Sequence, residues 1–257
     1  MDFGLSDRAV LVTGGSSNIG AATAVAFGRE GARVALTYKN NRDAADKVAA
    51  RVEQAGGQAF VTPFDLEDPA APEALVRTVV EHWGGLDVLV NNAVRWADHS
   101  PTEGPARFET SDRPAWEALV EANLTGYLRV LYAALPALRT SGSGRVVNLS
   151  TSLVERGMVG SVAYTAAKSG IHGASRSLAW EVGGDGILVN VVLPGWVIDG
   201  KDLPFEIPQA LMDEQTGRLP TGRLPLSTHV ADTVVFLASQ ANQSITGEIV
   251  HVTGGVS

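Results

Sequence analysis

Seven short apolar runs alternate with helical patterns along this chain: Ala9–Val12, 33–37, 59–64, 86–90, Arg145–Leu149, 187–193 and 248–252. The runs are nearly continuous in Val, Leu and Ile, as expected of strands covered on both faces. Helical periodicity lies near 19–30, 42–55, 70–83, 112–138, 162–182 and 229–239. Strand–helix alternation implies right-handed crossovers and a parallel sheet, an α/β fold. A length of 257 residues with 45% hydrophobic content fits one such domain over 1–257, and no linker or repeat interrupts it. Two stretches, 95–113 and 196–226, read as irregular and polar. Both follow the C-terminal ends of expected strands, where open α/β sheets bind ligands.

Composition removes several kinds of chemistry. The chain has no cysteine, which excludes disulfides, thiolate metal sites and a cysteine nucleophile. Its five histidines show no metal-ligand spacing. A formal net charge of -8 without a basic run argues against nucleic acid. No apolar stretch approaches the roughly 20 residues of a membrane span, and the N-terminus does not read as a signal peptide. The expectation is a soluble, cytoplasmic protein acting on a small molecule.

The first run leads into Thr13-Gly14-Gly15-Ser16-Ser17-Asn18-Ile19-Gly20, and a helix follows. Glycines there let the backbone turn tightly and approach a pyrophosphate at the helix N-terminus. Asn18 stands where a glycine is usual, and Asn tolerates the left-handed conformation. An NAD site would place Asp or Glu about 20 residues on, at the end of the second strand. That strand instead ends Thr37-Tyr38-Lys39-Asn40-Asn41-Arg42, with no carboxylate before Asp43. Lys39 and Arg42 suit a 2′-phosphate, so NADP(H) is expected over NAD(H).

Tyr164 and Lys168 lie one helical turn apart and share a face. A lysine ammonium beside a phenol favours its ionised form and lowers its pKa, which makes the pair an acid/base candidate.

These motifs together resemble the short-chain dehydrogenase/reductase family over essentially the whole chain, with 3-oxoacyl-carrier-protein reductase-like members the nearest general match. Thr13-Gly14-x-x-x-Asn18-x-Gly20 is similar to its cofactor loop, Asp65-Leu66 to its adenine-contacting pair and Asn91-Asn92-Ala93-Val94 to its N-N-A-G motif. Asn123 occupies the position of its catalytic asparagine. Tyr164-x-x-x-Lys168 matches its catalytic pair, and Pro194-Gly195, with Val197 beyond, its nicotinamide-side turn. Thr246-Gly247 matches the start of its last strand. The resemblance implies a Rossmann-like doubly wound sheet of seven strands, with helices on both faces, in a homotetramer. It also implies hydride transfer between NADP(H) and a carbonyl. Tyr164 would protonate the alkoxide, Lys168 would bond the nicotinamide ribose, and Asn123 would hold a water beside Lys168.

Four positions depart from that pattern: Asn18, Val94 for the last glycine of N-N-A-G, Asp199 for a threonine after Pro-Gly, and Thr253 for an aspartate before Gly254-Gly255. The family's catalytic serine falls on Thr151 by two counts, from Tyr164 and from Asn148, with Ser152 as the alternative. The substrate pocket is expected from Arg95, Trp96, Glu155, Arg156, Met158, Trp196 and the segment 197–217. Punctuated by Gly200, Pro204 and Pro208, 196–226 resembles a mobile lid. The expected activity is an NADPH-dependent carbonyl reductase. The alternatives are an NAD-dependent alcohol or polyol dehydrogenase and a nucleotide-binding regulator that has lost its chemistry.

Overall fold

The structure, a computed structural model, describes residues 3–96, 107–199 and 207–255. Seven strands form one parallel sheet: β1 (Ala9–Val12), β2 (Arg33–Tyr38), β3 (Gln58–Pro63), β4 (Val88–Asn91), β5 (Arg145–Leu149), β6 (Leu188–Pro194) and β7 (Ile249–Val252). Their order is β3-β2-β1-β4-β5-β6-β7. The chain winds outward from β1 to β3, then returns to place β4 on the other side of β1. The winding direction reverses there, which opens a crevice beyond the strand ends.

Side chains alternate between two cores, as the period-2 geometry of a strand requires. Val10 and Val12 face one core with α1 (Asn18–Arg29), α2 (Arg42–Gln54) and α9 (Ser227–Ala238). Leu11 and Leu89 face the other with α3 (Ala71–Trp83), α5 (Tyr127–Thr140) and α7 (Val162–Val182). Leu11 is fully buried; truncating such a side chain to alanine costs about 2–5 kcal/mol. Local signals set the helix ends. Asn41 accepts a bond from Ala44 N–H to start α2, Asp112 accepts one from Ala115 N–H to start α4 (Arg113–Val120), and Gly84 at φ 78 ends α3.

Two expectations are revised. The single helix over 112–138 is three pieces: α4, a π-helical turn at Glu121–Gly126, and α5. The stretch 196–226, read as irregular, contains α8 (Gln209–Gly217). Gly200 and Pro204 lie outside the described residues, as does 97–106 of the first irregular stretch. A short helix, α6 (Leu153–Arg156), follows β5.

Candidate active site

The loop between β1 and α1 is held by its neighbours on both sides. Gly14 N–H donates to Thr37 Oγ1 at 2.9 Å, and Gly15 N–H to the Thr37 carbonyl at 2.9 Å. Gly14 has φ +63, and a Cβ there would sit 2.9 Å from Ala93 Cα. A Cβ on Gly20 would sit 2.1 Å from the Gly14 carbonyl oxygen, so the helix start can lie this close to the loop only with glycine. Asn18 adopts the left-handed conformation at φ 45, and its amide donates to the Asp199 carbonyl. Ser17, the N-cap of α1, makes no side-chain cap bond, and the first turn carries no acid. Open amides at a helix N-terminus suit an anion.

Asn92 does not face outward. Its amide donates to the Thr13 and Gly14 carbonyls at 3.0 and 2.9 Å, fastening the glycine loop from the end of β4. Asn123 is fully buried in the π-helical turn. Its amide donates to the Leu119 and Arg95 carbonyls at 3.0 and 2.9 Å, and its oxygen accepts from Arg95 N–H at 3.1 Å. Both amide hydrogens are used, so the side chain ties α4 to the segment after β4. The Leu119 bond also occupies a carbonyl four residues back, where the regular helical ladder gives way.

Tyr164 and Lys168 both lie on α7 and are buried. The Lys168 ammonium donates to Tyr127 Oη at 2.7 Å and to the Leu149 carbonyl at 2.9 Å. Burial lowers the Lys168 pKa to about 7. Burial pushes the Tyr164 phenol above the ordinary tyrosine value. The expected lowering of the phenol by its lysine neighbour is therefore not what this arrangement gives. Desolvation outweighs it, and the ammonium bonds Tyr127 instead. Tyr127 is itself raised, first by burial and then by the charge of an ionised Tyr164.

Three hydroxyls follow β5. Ser150 Oγ lies 2.7 Å from His172 Nε2, which removes it from contention. Thr151 Oγ1 accepts a long bond from Leu153 N–H at 3.3 Å and is half-buried. Ser152 is buried, with its N–H on the Pro194 carbonyl. Thr151 is thus the more accessible of the remaining two.

A cavity of about 280 Å³ opens at Tyr164. Arg95, Trp96 and Met158 line it, as expected from the sequence, together with Phe108, Trp116 and Leu153. The Trp96 ring lies 5.4 Å from the Tyr164 ring, tilted by 30°. Glu155 instead bonds His251 at 2.6 Å, while Arg156 and Trp196 line a separate small pocket with Gln215 and Leu219.

The family described as Enoyl-(Acyl carrier protein) reductase has a model that matches residues 14–257. The chain belongs to the short-chain dehydrogenase/reductase family. A 3-oxoacyl-[acyl-carrier-protein] reductase of Staphylococcus aureus is 31% identical over 97% of this chain and 98% of its own length. Two solved structures are close in shape. One is a short chain dehydrogenase from Burkholderia cenocepacia J2315 in complex with NADP, with TM-score 0.86 and 32% identity, covering 98% of each chain. The other is an NADH-dependent reductase, A1-R', responsible for alginate metabolism, with TM-score 0.85 and 29% identity, covering 98% of this chain and 97% of its own.

As a short-chain dehydrogenase/reductase the chain is an oxidoreductase, and its departures from the family pattern take on local roles. The Asp199 carboxylate accepts from Ser227 N–H at 2.7 Å and from Ser227 Oγ at 2.6 Å, holding the start of α9. Thr253 Oγ1 accepts from Gly255 N–H at 3.3 Å. Pro194 ends β6, Gly195 N–H continues the ladder to the Val252 carbonyl of β7, and Val197 is buried in the core beyond them. Leu66 packs against Gly126, and Tyr38 is half-buried while Asn40 is exposed.

Beyond β2, Lys39 bonds Glu67 at 2.5 Å and Asp65 at 3.1 Å. Glu67 also pairs with Arg95. One carboxylate therefore bridges the end of β2 and the mouth of the cavity. Arg42 pairs with Asp46 on the exposed face of α2. Tyr127, Phe108, Trp116 and Glu67 were not singled out from the sequence. Of these, Glu67 lies two residues past Asp65 and Tyr127 four past Asn123, so each stood beside a motif that could have drawn attention to it. Among the described residues no cluster of His, Asp and Glu is placed to hold a metal, and no helix is long and apolar enough to cross a membrane.

Proposed function

We propose that the chain is an NADPH-dependent carbonyl reductase with Tyr164 as the general acid. The observation that carries this reading is Tyr164 itself. It is buried, it lines an apolar cavity, and it stands one helical turn from Lys168 on α7. A protonated phenol is ready to give a proton to a developing alkoxide, which is what reduction needs. The bound cofactor supplies the hydride. The loop 14–20 and the open N-terminus of α1 fit its pyrophosphate. Thr151 would hydrogen-bond the carbonyl oxygen and place it against Tyr164. Lys168, fixed by Tyr127 and Leu149, would place a positive charge close to the phenol below about pH 7. The segment 207–226, with α8, would cover the site.

NADPH preference is supported by the missing carboxylate after β2 and by Lys39. One observation favours the NAD-dependent reading: Lys39 is already held by Asp65 and Glu67, and those acids disfavour a second negative group. A comparison of kcat/KM for NADPH and NADH with one ketone decides between them, and a higher value for NADH overturns the NADPH reading. For the chemistry, Tyr164→Phe should lower kcat about 10²–10⁴-fold while leaving cofactor affinity near wild type. Near-normal turnover in that variant would sink the mechanism. Leu128 and Tyr132 on α5 and Trp180 on α7 are exposed apolar groups, which supports the tetramer expected from the family. Light scattering on the purified protein tests it.

A further inference from the structure

The cavity at Tyr164 is aromatic to an unusual degree for this chain. The sequence holds five Trp, four Tyr and seven Phe. Trp96, Phe108, Trp116 and Tyr164 all line this one space. Phe108 and Trp116 face each other at 5.4 Å, as Trp96 and Tyr164 do. Trp96, Phe108 and Met158 are exposed at 59%, 45% and 56%, so the mouth is as apolar as the interior. Exposed apolar groups grouped around a cavity mark a surface that a ligand covers.

Charge in the lining is balanced. Among the described residues its ionisable side chains besides Tyr164 are Arg95 and Asp112. Arg95 pairs with Glu67, and Asp112 accepts the Ala115 N–H at the start of α4. Among the described residues no surplus cation stands there for a phosphate or carboxylate. The chain's net charge of -8 adds a long-range repulsion against anionic substrates. Size gives the last constraint. An apolar cavity of about 150 Å³ holds one benzene ring, and this one, about 280 Å³ and open to solvent, has room for at least two fused rings.

We propose that the substrate is an uncharged ketone on a fused two-ring frame, seated against Trp96, and not an acyl thioester borne on a phosphate-containing carrier. This rests on the carbonyl-reductase reading of the same site. The carbonyl carbon takes the hydride from the reduced nicotinamide, the C=O π pair moves to oxygen, and that oxygen takes the proton of Tyr164. The products are a secondary alcohol, the oxidised cofactor and a Tyr164 phenolate, which takes a proton back from water. The Trp96 face holds the ring carbons and orients the carbonyl edge toward the phenol.

The test is a rate comparison with 2-tetralone, 1-indanone, 2-octanone, acetoacetyl-coenzyme A and its N-acetylcysteamine thioester, using NADPH and NADH. The expected result is a kcat/KM for the bicyclic ketones at least about tenfold above the thioesters and 2-octanone, the equivalent of one aromatic contact. Trp96→Ala should raise KM for 2-tetralone about tenfold, leave kcat within about threefold, and change KM for 2-octanone little. Trp96→Phe should restore most of the loss, and Phe108→Ala serves if Trp96→Ala fails to fold. Calorimetric titration of 2-tetralone into Tyr164→Phe reads binding without turnover. Thioesters reduced faster than ring ketones overturn the substrate assignment and leave the reductase reading standing. Trp96-dependent 2-tetralone binding with no ketone reduced supports the cavity assignment and overturns the reductase reading. Neither binding nor reduction overturns both.

Discussion

The Lys168 ammonium donates a hydrogen bond to Tyr127 Oη at 2.7 Å, across 41 residues of sequence and inside the core. Nζ also lies 4.1 Å from the centre of the Tyr127 ring. The lysine expected to act on Tyr164 is thus held by a second tyrosine. Tyr127→Phe keeps the ring and removes the oxygen. A charged-group hydrogen bond is worth about 1.5–3 kcal/mol, which corresponds to one to two pH units. Its loss disfavours the ammonium, so the alkaline limb of kcat/KM for reduction should move down by about one pH unit. An unmoved limb would show that Tyr127 only fills space.

Lys168 also makes stability depend on pH. Its pKa falls from an unfolded value near 10.5 to about 7. Between those values the unfolded chain binds more protons, so stability rises with pH by at most about 1.4 kcal/mol per unit. Below about pH 7 the cost of the buried charge is fully present. Lys168→Met removes it. Without cofactor, that variant should therefore be more stable than the parent at pH 6, with the gap closing toward pH 10. Denaturant titrations at three pH values measure this, and a gap independent of pH would contradict it.

Glu67 offers a direct handle on cofactor choice. Glu67→Gln removes the closer of the two acids from Lys39, freeing it for a 2′-phosphate. The ratio of kcat/KM for NADPH over NADH should rise about tenfold, and Lys39→Ala should lower it. The reverse order would place the discriminating contacts elsewhere.

Asp199→Ala should cost stability without touching the chemistry. It removes two bonds that hold the start of α9. The loss of a cap of this kind is about 1–2 kcal/mol, and Tm should fall by about 2–8 °C. A calorimetric scan reads the shift; unchanged melting would mean that Ser227 finds another partner.

The strands most visible in the sequence were those buried on both faces. Ala9–Val12 is a continuous apolar run that ends at Thr13, and Arg145–Leu149 carries Val146, Val147 and Leu149 ahead of Ser150, so the apolar residues mark both. The π-helical turn at Asn123 was invisible because helical periodicity continues on both sides of it, with Leu119 before and Tyr127 and Val130 after. α8 was missed because none of its residues is buried, so no apolar face announces it. In the site, the motifs placed Tyr164, Lys168, Gly14 and Gly20 by short spacing. Tyr127 and Glu67 matter through partners brought from far along the chain, and neither belongs to a local pattern. Lys168 was legible as a neighbour of Tyr164, but the direction of the Tyr164 shift is set by burial, which spacing does not encode.

The carboxylate shared between Lys39 and Arg95 has an evolutionary side. Replacing Lys39 leaves Glu67 to Arg95 alone, and replacing Arg95 leaves it to Lys39, drawing that lysine further from a 2′-phosphate. The two specificities cannot drift independently. A lineage changing its cofactor would be expected to carry compensating replacements near Arg95, and engineering either trait alone should leave a measurable mark on the other.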